Sequence, residues 1–208
     1  MRPSLIVIHY TGMASCAEAR ARLCDPTTEV SAHWLIAETG ATEALVPEQR
    51  RAWHAGAGGW AGLDDINSHS IGIELANPGD RPFAEPQMAA LEHLLAGIMA
   101  RWEIAPQGVI GHSDMAPTRK GDPGRRFDWR RLALQGLSVW PQPDLPQTAI
   151  ATDFRADLRA FGYPDAPDAD LLAAFRLRFR PGAAGPCAQG DRVLACDLAQ
   201  RVAPQDGL

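Results

Sequence analysis

Short apolar runs separated by turn-forming residues dominate the first half of the chain and predict β-strands. Two of these runs have the length of buried strands, Leu5–His9 and Ser70–Leu75, and Val109–Gly111 is a shorter buried strand. Runs of about four to eight residues bounded by glycine, proline or asparagine are typical of strands covered on both faces. A fourth run, Val30–Ile36, is followed by Gly40 and then by residues 43–46, and this order predicts a β-hairpin.

Two helices are predicted between these strands. In the clearer one, over residues 86–102, apolar side chains recur every three or four positions: Met88, Leu91, Leu95, Ile98 and Trp102. Glu85-Pro86 is a pair suited to a helix start. A shorter helix is predicted over about residues 16–23, which are rich in alanine, arginine and glutamate. Because strands alternate with helices, we expect an α/β layered domain that ends near Leu137.

A proline-rich segment, Trp140–Pro146, separates this region from a helical C-terminal part. Beyond it, apolar residues share one face of each of three predicted helices: Ile150, Phe154, Leu158 and Phe161; Leu171, Leu172, Phe175 and Phe179; Val193, Leu194, Leu198 and Val202. We therefore predict an α/β domain over residues 1–140, a linker over residues 141–147 and a small all-α three-helix module over residues 148–208.

Bulk composition narrows the functional classes. The 208 residues carry a net charge of −5, so a surface that binds nucleic acid is not expected. No apolar stretch approaches the roughly 20 residues that a membrane-spanning helix needs. The start lacks a basic segment followed by an apolar one, so we expect a cytoplasmic protein. If an export signal is missing from this start, the protein would instead be periplasmic or associated with the outer membrane.

The four cysteines form no Cys-x-x-Cys pair, which disfavours a zinc site built from thiolates. Two local disulfides, Cys16–Cys24 and Cys187–Cys196, are conceivable in an exported protein. Because cytosolic disulfides are rare, we expect four free thiols instead.

Two histidines and an aspartate stand at strand ends or in the loop that follows, and together they predict a metal site. His9 closes the first apolar run, whereas His112 and Asp122 lie ten residues apart in the glycine- and proline-rich loop 111–124. Zinc binds histidine nitrogen and carboxylate oxygen, and three protein ligands leave a fourth position for water, as in catalytic zinc sites. Each residue alone has a plainer interpretation, as a strand-end histidine or a turn aspartate. The prediction therefore depends on their joint placement.

Glu74 and Lys120 are candidates for acid/base and electrostatic roles beside this site. Glu74 interrupts an apolar strand, where a carboxylate is costly unless it is paired, faces a metal or has a raised pKa. It could act as a general base toward water at the metal, or it could only pair with an arginine. Lys120 lies two residues before Asp122 and could stabilise an oxyanion, although such lysines are more often solvated surface residues.

A non-haem iron site is the main alternative metal centre. His112 and Asp114 match the His-x-Asp half of the facial triad that binds iron, but that triad needs another histidine later in the chain. No histidine follows His112, so the sequence disfavours iron. His54, together with Trp60, could line a cleft or could be a packed loop histidine.

These residues lie in motifs that resemble the zinc N-acetylmuramoyl-L-alanine amidases of the amidase-2 type, which share a fold with peptidoglycan recognition proteins. The motifs follow one another in order: IVIHYT at 6–11, VSAHWLI at 30–36, VPEQ at 46–49, AWHAG at 52–56, NSHSIGIEL at 67–75 and GHSDMAPTRKGDPG at 111–124. A second resemblance, to a three-helix peptidoglycan-binding module, covers LRAFGY at 158–163 and AFRLRFRPG at 174–182.

The resemblance implies a mixed central β-sheet flanked by helices, with a complete reaction site. Zinc would be held by His9, His112 and Asp122. Glu74 would then be the catalytic acid/base and Lys120 the oxyanion stabiliser. Four further residues are candidates for substrate binding: His54, Trp60, Asn67 and Arg119.

The reaction implied is hydrolysis of the amide that joins N-acetylmuramic acid, or its 1,6-anhydro form, to the L-alanine of a peptidoglycan stem peptide. The role would be cell-wall degradation or muropeptide recycling, with peptidoglycan or muropeptides as partners. We expect a monomer whose helical module binds polymeric cell wall. Two alternatives stay open: a non-catalytic peptidoglycan recognition module, and a zinc peptidase that cuts within the stem peptide. The chain has every expected site residue, which favours the amidase.

Overall fold

The computed structural model of the chain describes residues 1–142 and 153–202, except the side chain of Val202. Its strands are β1 (Leu5–Tyr10), β2 (Trp34–Ile36), β3 (Thr42–Ala44), β4 (Ser70–Leu75) and β5 (Val109–Gly111). They form one mixed sheet in the order β3-β2-β4-β1-β5. The pairs β2–β4, β4–β1 and β1–β5 are parallel, whereas β3 pairs with β2 in the antiparallel sense.

The helices of the described residues are α1 (Cys16–Cys24), α2 (Ile66–His69), α3 (Glu85–Trp102), α4 (His112–Met115), α5 (Trp129–Leu134), α6 (Phe154–Phe161), α7 (Asp168–Phe179) and α8 (Gln189–Val202). The first helix begins after Ser15, whose hydroxyl accepts the Glu18 N–H and so caps it. α3 has Pro86 in its first turn, where the missing N–H costs no helical hydrogen bond. α2 and α4 are single turns: α2 directly precedes β4, and α4 directly follows β5.

Both faces of the central strands are buried. Ile6 and Ile8 of β1 pack with apolar residues of α3 and α5 on one face. Leu5 and Val7 belong to a second cluster on the other face, which also contains residues of α6, α7 and α8. Full burial of a side chain of this size contributes about 1.5–3 kcal/mol. Since side chains alternate along a strand, His9 lies on the same face as Leu5 and Val7.

The C-terminal helices thus share a core with the sheet. The second cluster joins Ile110 of β5 and Met115 of α4 to Phe161, Phe175 and other residues of the helical part. The predicted linker 141–147 falls almost wholly outside the described residues, as does Ile150. The division of the chain near residue 140 therefore stays a prediction.

The predicted fold class is confirmed: a mixed central sheet flanked by helices, followed by C-terminal helices. β2 is shorter than the predicted run and begins at Trp34, because the Ser31 N–H donates to the Trp53 carbonyl in a loop rather than to a strand. The four cysteines lie within the described residues and are free. Among the helices described, none is long and apolar enough to cross a membrane.

Candidate active site

Parallel strands bring the predicted residues to one edge of the sheet. His9 stands near the carboxyl end of β1, Glu74 near that of β4, and His112 directly after β5. His9 and Glu74 are paired in the β1–β4 register, so their side chains share a face. Asp122 follows in the loop after α4, where its carbonyl accepts the Ser113 N–H at 2.9 Å. This edge is where open α/β sheets usually bind ligands.

The side chains of His9, His112 and Asp122 meet at one point. Nδ1 of His9 lies 2.9 Å from Nδ1 of His112, and each lies 3.0 Å from Oδ2 of Asp122. Both imidazoles are buried, and only 13% of the Asp122 side chain is exposed. These three residues, called the ligand triangle below, form a candidate metal site.

A chain of hydrogen bonds indicates which nitrogen of His9 carries the proton. The Ser70 hydroxyl donates to the Ile66 carbonyl at 2.7 Å, so it can only accept from Nε2 of His54, 3.3 Å away. With its proton on Nε2, His54 offers a bare Nδ1, which lies 3.0 Å from Nε2 of His9. His9 therefore donates from Nε2, and its own Nδ1 is unprotonated. The tautomers are inferred from this network.

The same reasoning applies to His112. Its Nε2 lies 2.8 Å from the carbonyl of Ala55, which can only accept, so the neutral ring is unprotonated at Nδ1. Metal-binding histidines typically donate their other N–H to such a group, which fixes the tautomer and the ring orientation. Two nitrogen lone pairs and a carboxylate oxygen of Asp122 thus face one another. Such donors repel unless a cation lies among them, and zinc bonds to both atom types at about 2.0–2.2 Å.

Burial keeps His9 in the neutral form that a metal requires. Removal from water, and next the positive charge that His112 can carry, lower the pKa of His9 from 6.5 to about 4. A histidine must be deprotonated to bind a metal ion. The donor set and its protonation therefore fit zinc.

Glu74 presents a carboxyl group beside the ligand triangle. Its Oε2 is buried and has no hydrogen-bond partner among the described residues. Burial, and next the negative charge of Asp122, raise the pKa of Glu74 to about 8, and Lys120 opposes this rise. A cation at the ligand triangle would lower that pKa, because it favours the ionised carboxylate. A carboxyl group with a pKa near the working pH is suited both to take a proton and to return it.

A cavity of about 220 Å³ opens over these groups. It is lined by the ligand triangle, Glu74 and Lys120, and by Tyr10, Thr11, Met13, Ala19, Arg22, Leu23, Val30, Ser31, Trp53 and His54. Lys120 is exposed, and its positive charge lowers the pKa of both His9 and Glu74. It can therefore act on negative charge that develops in a substrate bound at the ligand triangle.

Of the four candidates for substrate binding, only His54 lines the cavity, and it also supports His9. Asn67 is buried, and its Oδ1 accepts the N–H groups of His54 at 3.0 Å and Ala55 at 2.9 Å, so it holds the loop that carries His54. Arg119 fixes the same loop from outside by donating to the carbonyls of Ala55, at 2.9 Å, and Ala57.

Trp60 lies away from the cavity. It is only 3% exposed, and its ring contacts those of Phe161 and Tyr163 at centroid distances of 5.5 and 5.2 Å. The ring is covered by the C-terminal helical part, so its packing does not support the expected contact with substrate.

Two residues that matter to the site were not singled out for these roles in the sequence. Gly72 leaves room for His54, because a Cβ there would lie 2.4 Å from Cγ of the imidazole. A glycine inside an apolar strand is the signal for such a close approach. Asp114, which belongs to the alternative iron motif, is not part of the ligand triangle. It binds Arg178 instead, so the facial-triad interpretation is not supported.

Comparisons with known proteins agree with this geometry. Residues 1–125 match the Amidase_2 family model, described as N-acetylmuramoyl-L-alanine amidase. The N-acetylmuramoyl-L-alanine amidase AmiD of Escherichia coli is 36% identical over 212 residues, which cover 86% of this chain and 76% of AmiD. The 1,6-anhydro-N-acetylmuramyl-L-alanine amidase AmpD of Haemophilus influenzae is 41% identical over 103 residues, which cover 49% of this chain and 56% of AmpD.

Two solved structures are similar over almost the whole chain. A complex of E. coli AmiD with the substrate anhydro-N-acetylmuramic acid-L-Ala-D-γ-Glu-L-Lys superposes with a TM-score of 0.88 at 33% identity, covering 97% of this chain and 90% of AmiD. AmpDh3 of Pseudomonas aeruginosa gives a TM-score of 0.86 at 30% identity, covering 97% of this chain and 92% of AmpDh3. The chain therefore belongs to the Amidase_2 family of N-acetylmuramoyl-L-alanine amidases, and it is an amide hydrolase of that class, as the motifs predicted.

Proposed function

We propose that His9, His112 and Asp122 bind zinc, and that the enzyme uses it to cleave the amide between the lactyl group of N-acetylmuramic acid and L-alanine. The observation that carries this proposal is the meeting of two imidazole nitrogens and a carboxylate oxygen within 3.0 Å of one another. Nitrogen and oxygen ligands in a set of three are typical of catalytic zinc.

Zinc, when bound, would polarise the amide carbonyl and lower the pKa of water. Glu74, beside His9, takes the proton of the attacking water as the new C–O bond forms. It then gives that proton to the alanine nitrogen as the C–N bond breaks. Burial raises the pKa of Glu74, whereas a cation at the ligand triangle would lower it, and these opposing effects suit one carboxyl group both to take the proton and to return it. Lys120 stabilises the oxyanion that develops between these two steps.

The substrates that we propose are muropeptides with N-acetylmuramic acid or its 1,6-anhydro form, acted on during cell-wall turnover or recycling. The AmiD structure contains an anhydro-N-acetylmuramic acid peptide, and AmpD is named for the anhydro sugar. The cytoplasmic location, the monomeric state and the lack of nucleic-acid binding stay predictions.

Product analysis by mass spectrometry tests the proposal. Zinc-loaded, full-length protein is incubated with anhydromuropeptides and, separately, with purified sacculi. Release of stem peptides that begin with L-alanine, lost on chelation and restored by zinc, is the expected result. Glu74→Gln is the control, since it should bind zinc but leave the substrate uncut. Cuts between stem residues would indicate a peptidase, bound but uncut substrate would indicate a recognition module, and release that survives chelation would refute the zinc mechanism.

We further propose that the C-terminal helices bind polymeric peptidoglycan, as their resemblance to a binding module implies. A second contact would raise the effective concentration of substrate at the cavity. The test uses the inactive Glu74→Gln protein bound to sacculi, to which a saturating soluble muropeptide is added to occupy the cavity. If the C-terminal helices form a second binding surface, part of the protein should stay on the sacculi. Complete release would mean that the cavity is the whole binding surface.

A further inference from the structure

Asp114 is a buried carboxylate two residues after His112, outside the ligand triangle. Its Oδ2 accepts the Gly111 N–H at 2.8 Å and Nη1 of Arg178 at 2.6 Å, and its Oδ1 accepts the Tyr163 hydroxyl at 2.7 Å. Its side chain is 0% exposed and that of Arg178 is 1% exposed. Arg178 lies on α7 and Tyr163 follows α6, so both side-chain donors come from the C-terminal part.

Arg178 contacts the segment around His112 on both sides. Besides Asp114, which follows the histidine, its Nη2 donates to the carbonyl of Val109, which precedes it, at 3.0 Å. A further bond joins Nη2 to the Ser138 hydroxyl at 3.1 Å. The guanidinium also stacks over the ring of Trp129, 4.2 Å from its centroid. A single side chain of α7 therefore holds β5 and α4 together.

Helix α4 in turn carries one of the three metal-site residues and is hydrogen-bonded to a second one in the loop that follows. His112 is its first residue, and the Ser113 N–H donates to the Asp122 carbonyl at 2.9 Å. A helix of four residues makes too few internal hydrogen bonds to hold its own conformation. Its position must therefore come from outside contacts, and Asp114 makes one of these with the charged Arg178.

We propose that Arg178 and Tyr163 are positioning residues for the reaction: through Asp114 they hold α4, and thereby His112 and Asp122, in the arrangement that binds the metal. This inference rests on the proposed metal site. It assigns to the C-terminal helices a part in building the ligand triangle, in addition to any contact with cell wall. Outer contacts of this kind fix the orientation of metal ligands and set the affinity for the metal.

A second arginine on the same helix offers a matched control. Arg176 of α7 binds Asp191 of α8 at 2.6 Å, and the side chain of Asp191 is 0% exposed. Like Arg178, Arg176 also donates to backbone carbonyls, those of Gly185 and Pro186. Both arginines thus make a buried ion pair with backbone contacts, but only the pair with Asp114 touches the metal loop. A substitution that merely loosens the helices should affect both positions alike.

The experiment compares zinc dissociation constants of full-length wild type, Arg178→Lys and Arg176→Lys by competition with a chromogenic chelator. Unfolding midpoints of the chelated proteins are measured in parallel. Lysine keeps the charge but cannot span the acceptors of an arginine. We expect Arg178→Lys to raise the zinc Kd about 10-fold or more, and the zinc Kd of Arg176→Lys to stay within about two-fold of wild type. The unfolding midpoints of the two chelated variants should fall by similar amounts. Equal Kd shifts in the two variants, or none in Arg178→Lys, would overturn the inference.

Tyr163→Phe provides an independent measurement if Arg178→Lys does not fold. It removes only the hydroxyl donor to Asp114 and keeps the ring against Trp60. A weaker zinc affinity with an unchanged fold supports the inference, and an unchanged affinity contradicts it. A wild-type protein that holds no zinc would overturn the proposed metal site and this inference together. A wild type that binds zinc as tightly as every variant would overturn this inference alone.

Discussion

Replacing Glu74 by glutamine removes a buried ionisable group and keeps the size and shape of the side chain. In the metal-free protein, burial and the charge of Asp122 raise the pKa of Glu74 from 4.5 to about 8. The folded protein therefore binds a proton at Glu74 more tightly than the unfolded chain does. Between these two pKa values the folded state keeps a proton that the unfolded state has lost, so its stability falls as the pH rises.

The size of this effect follows from the two pKa values. Each unit of difference corresponds to about 1.36 kcal/mol. Between pH 5 and pH 8 the wild type should lose about 3–4 kcal/mol of unfolding free energy relative to Glu74→Gln. Below the pKa that Glu74 has in the unfolded chain, its carboxyl group is neutral in both states and adds nothing to the pH dependence of stability. Groups such as His9 titrate in both proteins, so their effects on stability largely cancel in the difference between wild type and Glu74→Gln.

Urea unfolding of both chelated proteins at several pH values from 5 to 8 measures this difference. The variant should have nearly wild-type stability at the acidic end and should become the more stable protein at pH 8. Zinc loading should reduce the pH dependence of the stability difference between the two proteins, because a cation favours the ionised form of Glu74. A difference that does not change with pH would refute the argument from burial. In the same variant, turnover should fall by about 10²–10⁴-fold, and near-normal turnover would remove Glu74 from the acid/base role.

Three other substitutions separate the remaining roles. Asp122→Ala should abolish tight zinc binding in a chelator competition, and an unchanged affinity would exclude Asp122 as a ligand. Lys120→Met should lower kcat by about 10²–10³-fold with zinc affinity unchanged; a change confined to KM would mean that Lys120 binds substrate rather than the oxyanion. Asn67→Ala should leave the N–H groups of His54 and Ala55 without an acceptor. Each unpaired group should lower the free energy of unfolding by about 1–3 kcal/mol. A stability within about 0.5 kcal/mol of wild type would mean that water replaces the amide.

The apolar runs predicted the strands whose ends carry the candidate site residues. β4 and β5 have the predicted bounds, and the parallel order puts the ends of β1, β4 and β5 at one edge. This order places Glu74 and His112 on the two sides of His9. The loop residue Asp122 alone is more simply a turn aspartate, and its place beside them was an expectation that depended on joint placement and on the resemblance to the amidases.

Contacts between distant segments could not be predicted in the same way. Arg178 reaches Asp114 across 64 residues, from a helix whose sequence shows only the period of its apolar face. Trp60 is equally ambiguous, because a tryptophan next to a glycine-rich loop can line a cleft or fill a core. Only the packing of Phe161 and Tyr163 against its ring decides between these positions.

The shared core determines how the two predicted domains can be tested. Removing the C-terminal helices would expose the face of β1 that carries Leu5 and Val7, and each such side chain contributes about 1.5–3 kcal/mol through burial. Asp114 would lose Arg178 in the same step. A truncated protein that fails to bind zinc or sacculi would therefore report on unfolding as much as on either function. Substituting Arg178 alone, with Arg176 as its counterpart on α7, keeps the apolar interface and isolates the charged contact with the metal loop.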